Sequence, residues 1–347
     1  MPSTAVTTEN ELLTSTLRSF IKAKRSMQDR PVKFLDDLEK LGKRESTGGE
    51  RIQIDWETNR HSQATRLTTG YEVINVTGQK VGTPGFEDWG EVVYPIISAN
   101  REEWKNRGMA KRLDILERRT SVTWHQARQD AQRAYLQGGV SGWEDITPIN
   151  GFDDTTGFLE DAAVGSQSNT LHGLARSSFA TLPGFQNQVY DCAGSFSANG
   201  LIALDEVTSY IQELAGEGGT KLRGYMSIEF GNNLKRASRT YERFYSEKEW
   251  DGGKLIQIWN GTAMQALHDA HGLPRAGSVT TADPISCIFL DFSCIQVDAQ
   301  KDYWFNTGEF RHGVNQLVKW APLHIVSNLV AEYLGSSAVI YDADLWP

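Results

Sequence analysis

The chain has 347 residues, of which 39% are hydrophobic and ten are tryptophan, with seven histidines, three cysteines and a formal charge of −9. That is an ordinary globular composition, long enough for two or three domains with a sizeable core. Leu12-Leu13 sits among polar residues and no apolar run approaches the ~18 needed to span a bilayer, which excludes a signal peptide and a membrane span and predicts a soluble protein made in a cytoplasm. Cys192, Cys287 and Cys294 are odd in number, scattered and without CxxC spacing; this fits a reducing compartment and argues against a disulfide framework or a zinc ribbon.

Charge is unevenly spread. Residues 18–44 hold nine Lys/Arg against four acids, a +5 arm ahead of a body carrying −14. Such an arm reads either as a solvated amphipathic helix or as an extension that docks on acidic neighbours or nucleic acid. Leu12 to Leu41 predicts one or two short helices interrupted at Pro31, and Ser46-Thr47-Gly48-Gly49 breaks the pattern. From Arg51 the period becomes two: Ile52, Ile54 and Trp56 alternate with polar residues. Tyr71–Val76 and Glu91–Ile97 are further strand candidates around turn material at Gly78–Gly85, so residues 50–97 read as one β ribbon. Such a ribbon cannot bury itself and must lie on the long helix that follows or on another copy of the chain.

That helix is expected over Arg101–Gln137. Met109, Leu113, Leu116, Thr120, Trp124, Ala127, Ala131 and Tyr135 fall at steps of three and four on one face, and Gly138-Gly139 supplies a left-handed stop. Its other faces carry Lys111, Arg112, Asp114, Glu117, Arg118, Arg119, Arg128, Asp130 and Arg133, a spine with one packed face and a wet or partner-facing remainder. Trp143–Phe152 is a turn-rich connector. A mixed α+β region follows: a helix marked by Leu201, Leu204, Val207, Ile211 and Leu214, a strand at Tyr225–Phe230, a helix at Asn232–Phe244, a strand at Leu255–Trp259 and a short helix at Ala263–His271. Strands return at Cys287–Phe292, Cys294–Val297, Tyr303–Phe305 and Ala338–Tyr341, while Leu317–Leu334 is one bent strand or a strand then a helix.

The search for chemistry returns negatives. There is no phosphate loop (Gly252-Gly253-Lys254 lacks the first Gly and the Ser/Thr), no GxGxxG, no GxSxG elbow and no HExxH. His268 and His271, with Asp269 between them, could share a helix face as metal ligands, but two exposed histidines at a helix end explain them equally well. His61, His125, His172, His312 and His324 stand alone, and His125 beside Trp124 reads as a packing residue. Acid pairs Asp153-Asp154 and Glu160-Asp161 sit in turns without a histidine or nucleophile pattern. Asn75-Val76-Thr77 and Asn260-Gly261-Thr262 match a glycosylation sequon that means nothing without a secretory signal. No residue is assigned a catalytic, cofactor-binding or metal-binding role, and no enzyme activity is expected.

Arm, ribbon, spine and α+β domain, in that order, resemble the major capsid proteins of tailed bacteriophages, whose fold also occurs in herpesvirus capsid floors and in encapsulins. The resemblance covers about Gly48 to Ile340. It lies in the order of parts, in Ile149-Asn150-Gly151-Phe152 after the spine, in Gly173-Leu174-Ala175-Arg176, and in Ile288-Phe289-Leu290-Asp291 with the stretches Gln316–Val326 and Ser337–Tyr341, which look like closing strands of the peripheral domain. Phe179 and Phe185 follow Arg176 where many relatives carry a tryptophan. The resemblance implies an α+β, Hong Kong 97-like fold: an N-terminal arm at 1–47, an extended loop at 48–97, a peripheral domain with the spine at 98–150, an axial domain at 151–284, and closing strands at 285–347 that return to the axial domain. It further implies copies joined as hexamers and pentamers in an icosahedral shell around packaged double-stranded DNA, which is held weakly and without sequence specificity. The other implied partners are a portal and a separate scaffolding protein; no membrane is involved. The location would be the virion, after assembly in the host cytoplasm.

The alternative within the same fold is an encapsulin-like compartment for protein cargo, disfavoured by the long arm. A soluble enzyme built on acid pairs in 153–283 is the third class. Some 47 residues ahead of the ribbon are too few for an internal scaffolding domain, so the arm is expected to stay largely intact and to lie along the acidic body of the next subunit.

Overall fold

In the computed structural model the described residues are 32–59, 68, 80–99, 102, 115–150, 157–192, 196–215, 221–240, 248–251, 254–267, 285–312 and 318–341. The spine is helix α2, Ile115–Gln137, about 35 Å long. Gly138 and Gly139 end it with φ of 73° and 64°, as glycine allows. Its seam deepens along its length: Leu116, Thr120 and Trp124 are half-buried, whereas Ala127, Ala131 and Tyr135 are wholly buried. Met109 and Leu113 lie outside the described residues.

The spine lies across a six-stranded sheet in which the long strand β16, Val318–Ala331, is central. β16 is one continuous strand, which settles the choice left open by its sequence. It pairs antiparallel with β4, Gly90–Ala99, over ten rungs, and on its other side with β13 (Ile295–Gln300), β14 (Asn306–Thr307) and β15 (Arg311–His312). Pro95 of β4 faces Pro322 of β16, so the two missing amide donors share one rung. Val92, Tyr94 and Ile96 point toward the spine; Tyr94 donates to Asp130 of α2 at 2.9 Å and accepts from Trp143 at 2.8 Å. The expected ribbon over 50–97 is therefore divided, because β4 belongs to this sheet. Among the described residues, β2 (Ile52–Glu57) and β3 (Gly82–Glu87) form the two-stranded ribbon. Gly82–Gly85, read as turn material, is strand: Pro84 is tolerated on an edge, and a Cβ at Gly85 would stand 2.4 Å from the Trp56 ring.

A second, seven-stranded sheet runs β7-β17-β12-β8-β11-β10-β9. In chain order these are β7 Gln188–Asp191, β8 Leu222–Met226, β9 Lys248–Asp251, β10 Lys254–Trp259, β11 Thr262–Ala266, β12 Ile285–Asp291 and β17 Ala338–Tyr341. Helices α3 (Leu201–Ala215) and α4 (Ile228–Thr240) cover one face, where Leu204, Val207, Ile211, Phe230 and Leu234 pack on Cys287 and Phe289. Ile288 and Leu290, the alternate residues of β12, enter the other core with the spine. β12 and β17, from the stretch expected to hold closing strands that return to the axial domain, pair within this sheet. Two further readings are corrected. Ser227 follows β8 and its hydroxyl accepts the Phe230 amide at 3.0 Å, an N-cap that starts α4 four residues earlier than its apolar spacing suggests. Thr262–Ala266 is a strand, not a helix: Asn260-Gly261, with φ of 47° and 79°, is a two-residue hairpin turn between β10 and β11. Tyr303–Phe305 forms bends leading into β14.

Between the two sheets sits helix α1, Lys33–Leu41, from the arm. Phe34, Leu35 and Leu38 are fully buried, and the Phe34 ring meets Tyr225 of β8 edge-on at 5.4 Å. The amides of Phe34 and Leu35 donate to Gln132 Oε1 of the spine at 3.1 and 3.4 Å, satisfying two orphan donors of the helix start. Arg128, assigned from sequence to the wet face, is buried: it donates to Asp36 at 2.7 Å and to both Glu39 oxygens at 2.8 Å, with the Trp124 and Phe305 rings 4.9 and 5.5 Å from its guanidinium. Burial would lower its pKa, but the two carboxylates outweigh this and hold it above the usual value. Strand β1, Lys43–Ser46, then runs parallel to β13, and Arg44 pairs with buried Asp298 at 2.9 Å. Residues 33–46 thus pack on the chain's own body, with Lys40, Arg44 and Glu45 left exposed.

Replacing Arg128 by Ala should destabilise the subunit by about 2–3 kcal/mol, below the full cost of breaking a buried pair because Asp36 is half in water. Arg118→Ala should leave the melting temperature nearly unchanged, and equal effects would refute the clamp. Removing residues 1–31 should preserve cooperative unfolding, whereas removing 1–46 takes away three buried side chains and should abolish it.

Candidate assembly interfaces

The ribbon leaves the body at a polar root. Trp56 stacks on His172 with centroids 5.6 Å apart, approaches Phe185 at 5.1 Å, and donates its indole N–H to the Glu332 carbonyl at 2.8 Å. Ile52 and Ile54 pack on Val330 at the end of β16. The apolar face of β2 is therefore covered by the chain's own body, and not by the spine or another copy. Glu87 of β3 accepts from the Thr147 hydroxyl and lies 3.0 Å from His172 Nδ1. His172 is buried with a left-handed φ of 48°, in the turn between β5 (Thr170–Leu171) and β6 (Leu174–Ala175). The Ala331 amide donates to its Nε2 at 3.0 Å, so that nitrogen is unprotonated and Nδ1 carries the hydrogen given to Glu87. One side chain ties ribbon, turn and long strand together; its sequence, a lone histidine before Gly173, gave no sign of this.

Behind this root lies a second buried hub, Arg176. Its guanidinium donates to the carbonyls of Phe185 at 2.6 Å and Phe158 at 2.8 Å, to Glu160 and Asn187 at 3.0 Å each, and to Gln167. Burial pulls its pKa down to about 10, with Glu160 opposing, so it stays charged at neutral pH. Glu160 also accepts the Ser168 and Asn169 amides at 2.8 and 2.7 Å, which makes it a structural carboxylate.

Beyond the ribbon root, Val93, Pro95 and Ile97 of β4 and Trp320 of β16 are exposed on the sheet face away from the spine, with exposed Tyr303 edge-on to His324 of β16. Leu116, Thr120, Trp124 and Phe310 line an open groove on the first half of the spine. Phe86 and Val81 are exposed on the ribbon, whose outward residues Gln53, Asp55 and Glu57 alternate with the buried ones. His125 is exposed with its ring 5.6 Å from Trp124. His268, Asp269, His271, Asp153, Asp154 and Tyr71–Val76 lie outside the described residues. Cys192 and Cys287 are buried and Cys294, half-buried, has its pKa raised by burial.

No protein-family model matches the sequence, and no curated protein does. Solved structures do. The cyanophage A-1(L) capsid subunit aligns over 96% of this chain and 99% of its own with a TM-score of 0.60 at 13% identity. A capsid subunit of the empty GTA particle aligns over 99% and 100% with a TM-score of 0.57 at 14% identity, and the holo-SrpI encapsulin from Synechococcus elongatus PCC 7942 over 97% of each chain with a TM-score of 0.59 at 9% identity. The chain has the tailed-phage major capsid fold. Within that capsid fold, Gly173-Leu174-Ala175-Arg176 is the turn and hub just described, and the phenylalanines after Arg176 stack on each other at 4.7 Å.

Glu87→Ala should leave the His172 N–H and the Thr147 hydroxyl unpaired at a cost of about 1–3 kcal/mol. Amide exchange should accelerate in β2 and β3 while the seven-stranded sheet keeps its protection. Uniform acceleration in both regions would show that the root does not act on the ribbon separately.

Proposed function

We propose that the chain is the major capsid protein of a tailed phage, a subunit that joins in hexamers and pentamers into an icosahedral shell enclosing double-stranded DNA. The observation that carries this is end-to-end agreement with shell subunits, 96–99% of this chain against 99–100% of the two phage-type capsid chains. The uncovered apolar faces of β4, β16, the spine groove and the ribbon support it, since contiguous bare apolar surface marks an interaction site. Shell contacts of this intertwined kind belong to the large-interface class, ~2,000 Å² and above. A portal and a separate scaffolding protein complete the proposal, with the virion as location. An encapsulin-like compartment is the second reading, favoured by the likeness to the Synechococcus shell.

The domain division follows the same reading. Residues 98–150 with the strands around β16 are its peripheral domain, and 151–284 with β12 and β17 its axial domain. Because the root of the ribbon is covered by its own body, the contact with the next subunit is assigned to residues 58–81. Asn59 and Lys80 meet there, the Asn59 side chain donating to the Lys80 carbonyl at 3.0 Å, so a short linker can replace what lies between them. A chain lacking residues 60–79 should fold with an unchanged melting temperature yet form no closed shells by electron microscopy; normal shells from it would end this assignment. Particles from the full chain should hold DNA, and protein cargo without DNA would favour the compartment.

A further inference from the structure

The two helices on the seven-stranded sheet turn opposite charges to solvent. α3 carries three acids and no cation. Its outward residues Ile202, Glu206, Tyr210 and Glu213 recur at steps of four, four and three, which places them in one stripe. Tyr210, 59% exposed, is the barest large apolar side chain among the described residues, and Ile202 is 50% exposed. The third acid, Asp205, has a structural task, accepting from the Trp259 indole at 3.2 Å and from the Asn260 amide at 3.4 Å. Glu206 and Glu213 have none: no hydrogen bond or ion pair holds their carboxylates among the described residues. On α4 the outward residues are Ile228, Asn232, Lys235 and Arg236, a stripe with an apolar start and a basic end.

Charge decides how a second copy can use these stripes. A two-fold dimer would set α3 against α3 or α4 against α4, with like charges opposed. Setting α3 against α4 instead pairs acid with base, and it does so head to tail. Such a contact leaves one α3 and one α4 unmet at the ends of any open row, so it is completed when the copies close into a ring. We propose that α3 of one copy docks on α4 of the next, Ile202 and Tyr210 packing beside Ile228 while Glu206 and Glu213 face Lys235 and Arg236. This rests on the shell reading above and names the two helix stripes, and the charge rule, that join neighbours within a ring of five or six.

The parts of the contact do different work. A bare tyrosine beside an isoleucine is the kind of anchor that carries binding strength once water is excluded around it. Charge pairs at its rim add little strength but select the partner and fix the register. Lys235 and Arg236 reach their acids on long flexible stems, so the pairs survive a change in the angle between copies. One contact can then serve both ring sizes.

The test reverses the charges of the full chain on one helix at a time and weighs the assemblies by native mass spectrometry. E206K/E213K and K235E/R236E should each keep the parent's melting temperature and form no rings, and the chain with all four reversals should form them again. Mixed in equal amounts, the two reversed chains can satisfy each other only in alternation, so hexamers are expected and pentamers are not. Rings from either reversed chain alone, no recovery with all four reversals, or pentamers from the mixture would overturn the pairing. Tyr210→Ser leaves every charge in place and should raise the concentration needed for rings by about tenfold; an unchanged concentration counts against the anchor. Should the unaltered chain form no shells, the shell reading fails by itself. The contact is then judged by sedimentation of the free chain: self-association lost in either reversed chain and regained with all four reversals upholds it. Self-association indifferent to the reversals, or none at all, refutes it.

Discussion

The subunit depends on one wedge, helix α1 held between the spine and the seven-stranded sheet. Phe34, Leu35 and Leu38 fill the junction between the two sheets, with Phe34 reaching Tyr225 and Phe292 on one side while Gln132 and Arg128 of the spine grip the helix on the other. Burying the Arg128 guanidinium is costly unless every donor finds an acceptor, and Asp36 and Glu39 provide carboxylates one helical turn apart, at i and i+3. Asp37, between them, turns to the other sheet, where Tyr225 and Gln265 donate to it at 2.8 and 3.3 Å; burial nevertheless raises its pKa. Adjacent acids on one short helix thus bind two layers that share no strand.

Much of this was legible, and the misses have physical causes. Elements whose side chains alternate or recur against one core, such as β2, α3, β12 and the second half of α2, follow from periodicity because burial imposes it. Arg128 was misassigned since a charged residue on the flank of a seam looks the same whether it faces water or a carboxylate pair distant in sequence. β4 was grouped with the ribbon because strand pairing over more than two hundred residues leaves no local trace. Asn260-Gly261 did carry a signal, the turn dipeptide of a hairpin, and was read only as a sequon. The ribbon root was not legible at all: Glu87, Thr147, His172 and Ala331 come from four separate segments and meet only in the folded chain.

The two polar hubs divide the labour between rigidity and reach. Arg176 closes residues 157–188 into a unit by donating to four buried carbonyl groups, those of the Phe158 and Phe185 backbone and of the Gln167 and Asn187 side chains, as a fully paired polar network does. His172 works beside it on a different task. Its ring is fixed by an amide on one nitrogen and a carboxylate on the other, and the Trp56 indole rests on its face, so the direction in which β2 and β3 leave the body is set by the core rather than by the ribbon's own two strands.

A core complete without neighbours has a consequence for assembly. Since α1, the packed face of the spine and the β2 face of the ribbon are buried within the chain, the apolar surface left to a partner among the described residues includes the β4–β16 face, the spine groove and the ribbon's exposed side. Contacts confined to such patches can form and separate without unfolding the subunit. A closed shell needs this, because a subunit added in the wrong place must leave before its neighbours trap it, and rates of leaving are set by the strength of each contact. Strength then comes from the number of contacts around each copy, as effective concentration makes later contacts intramolecular once the first has formed.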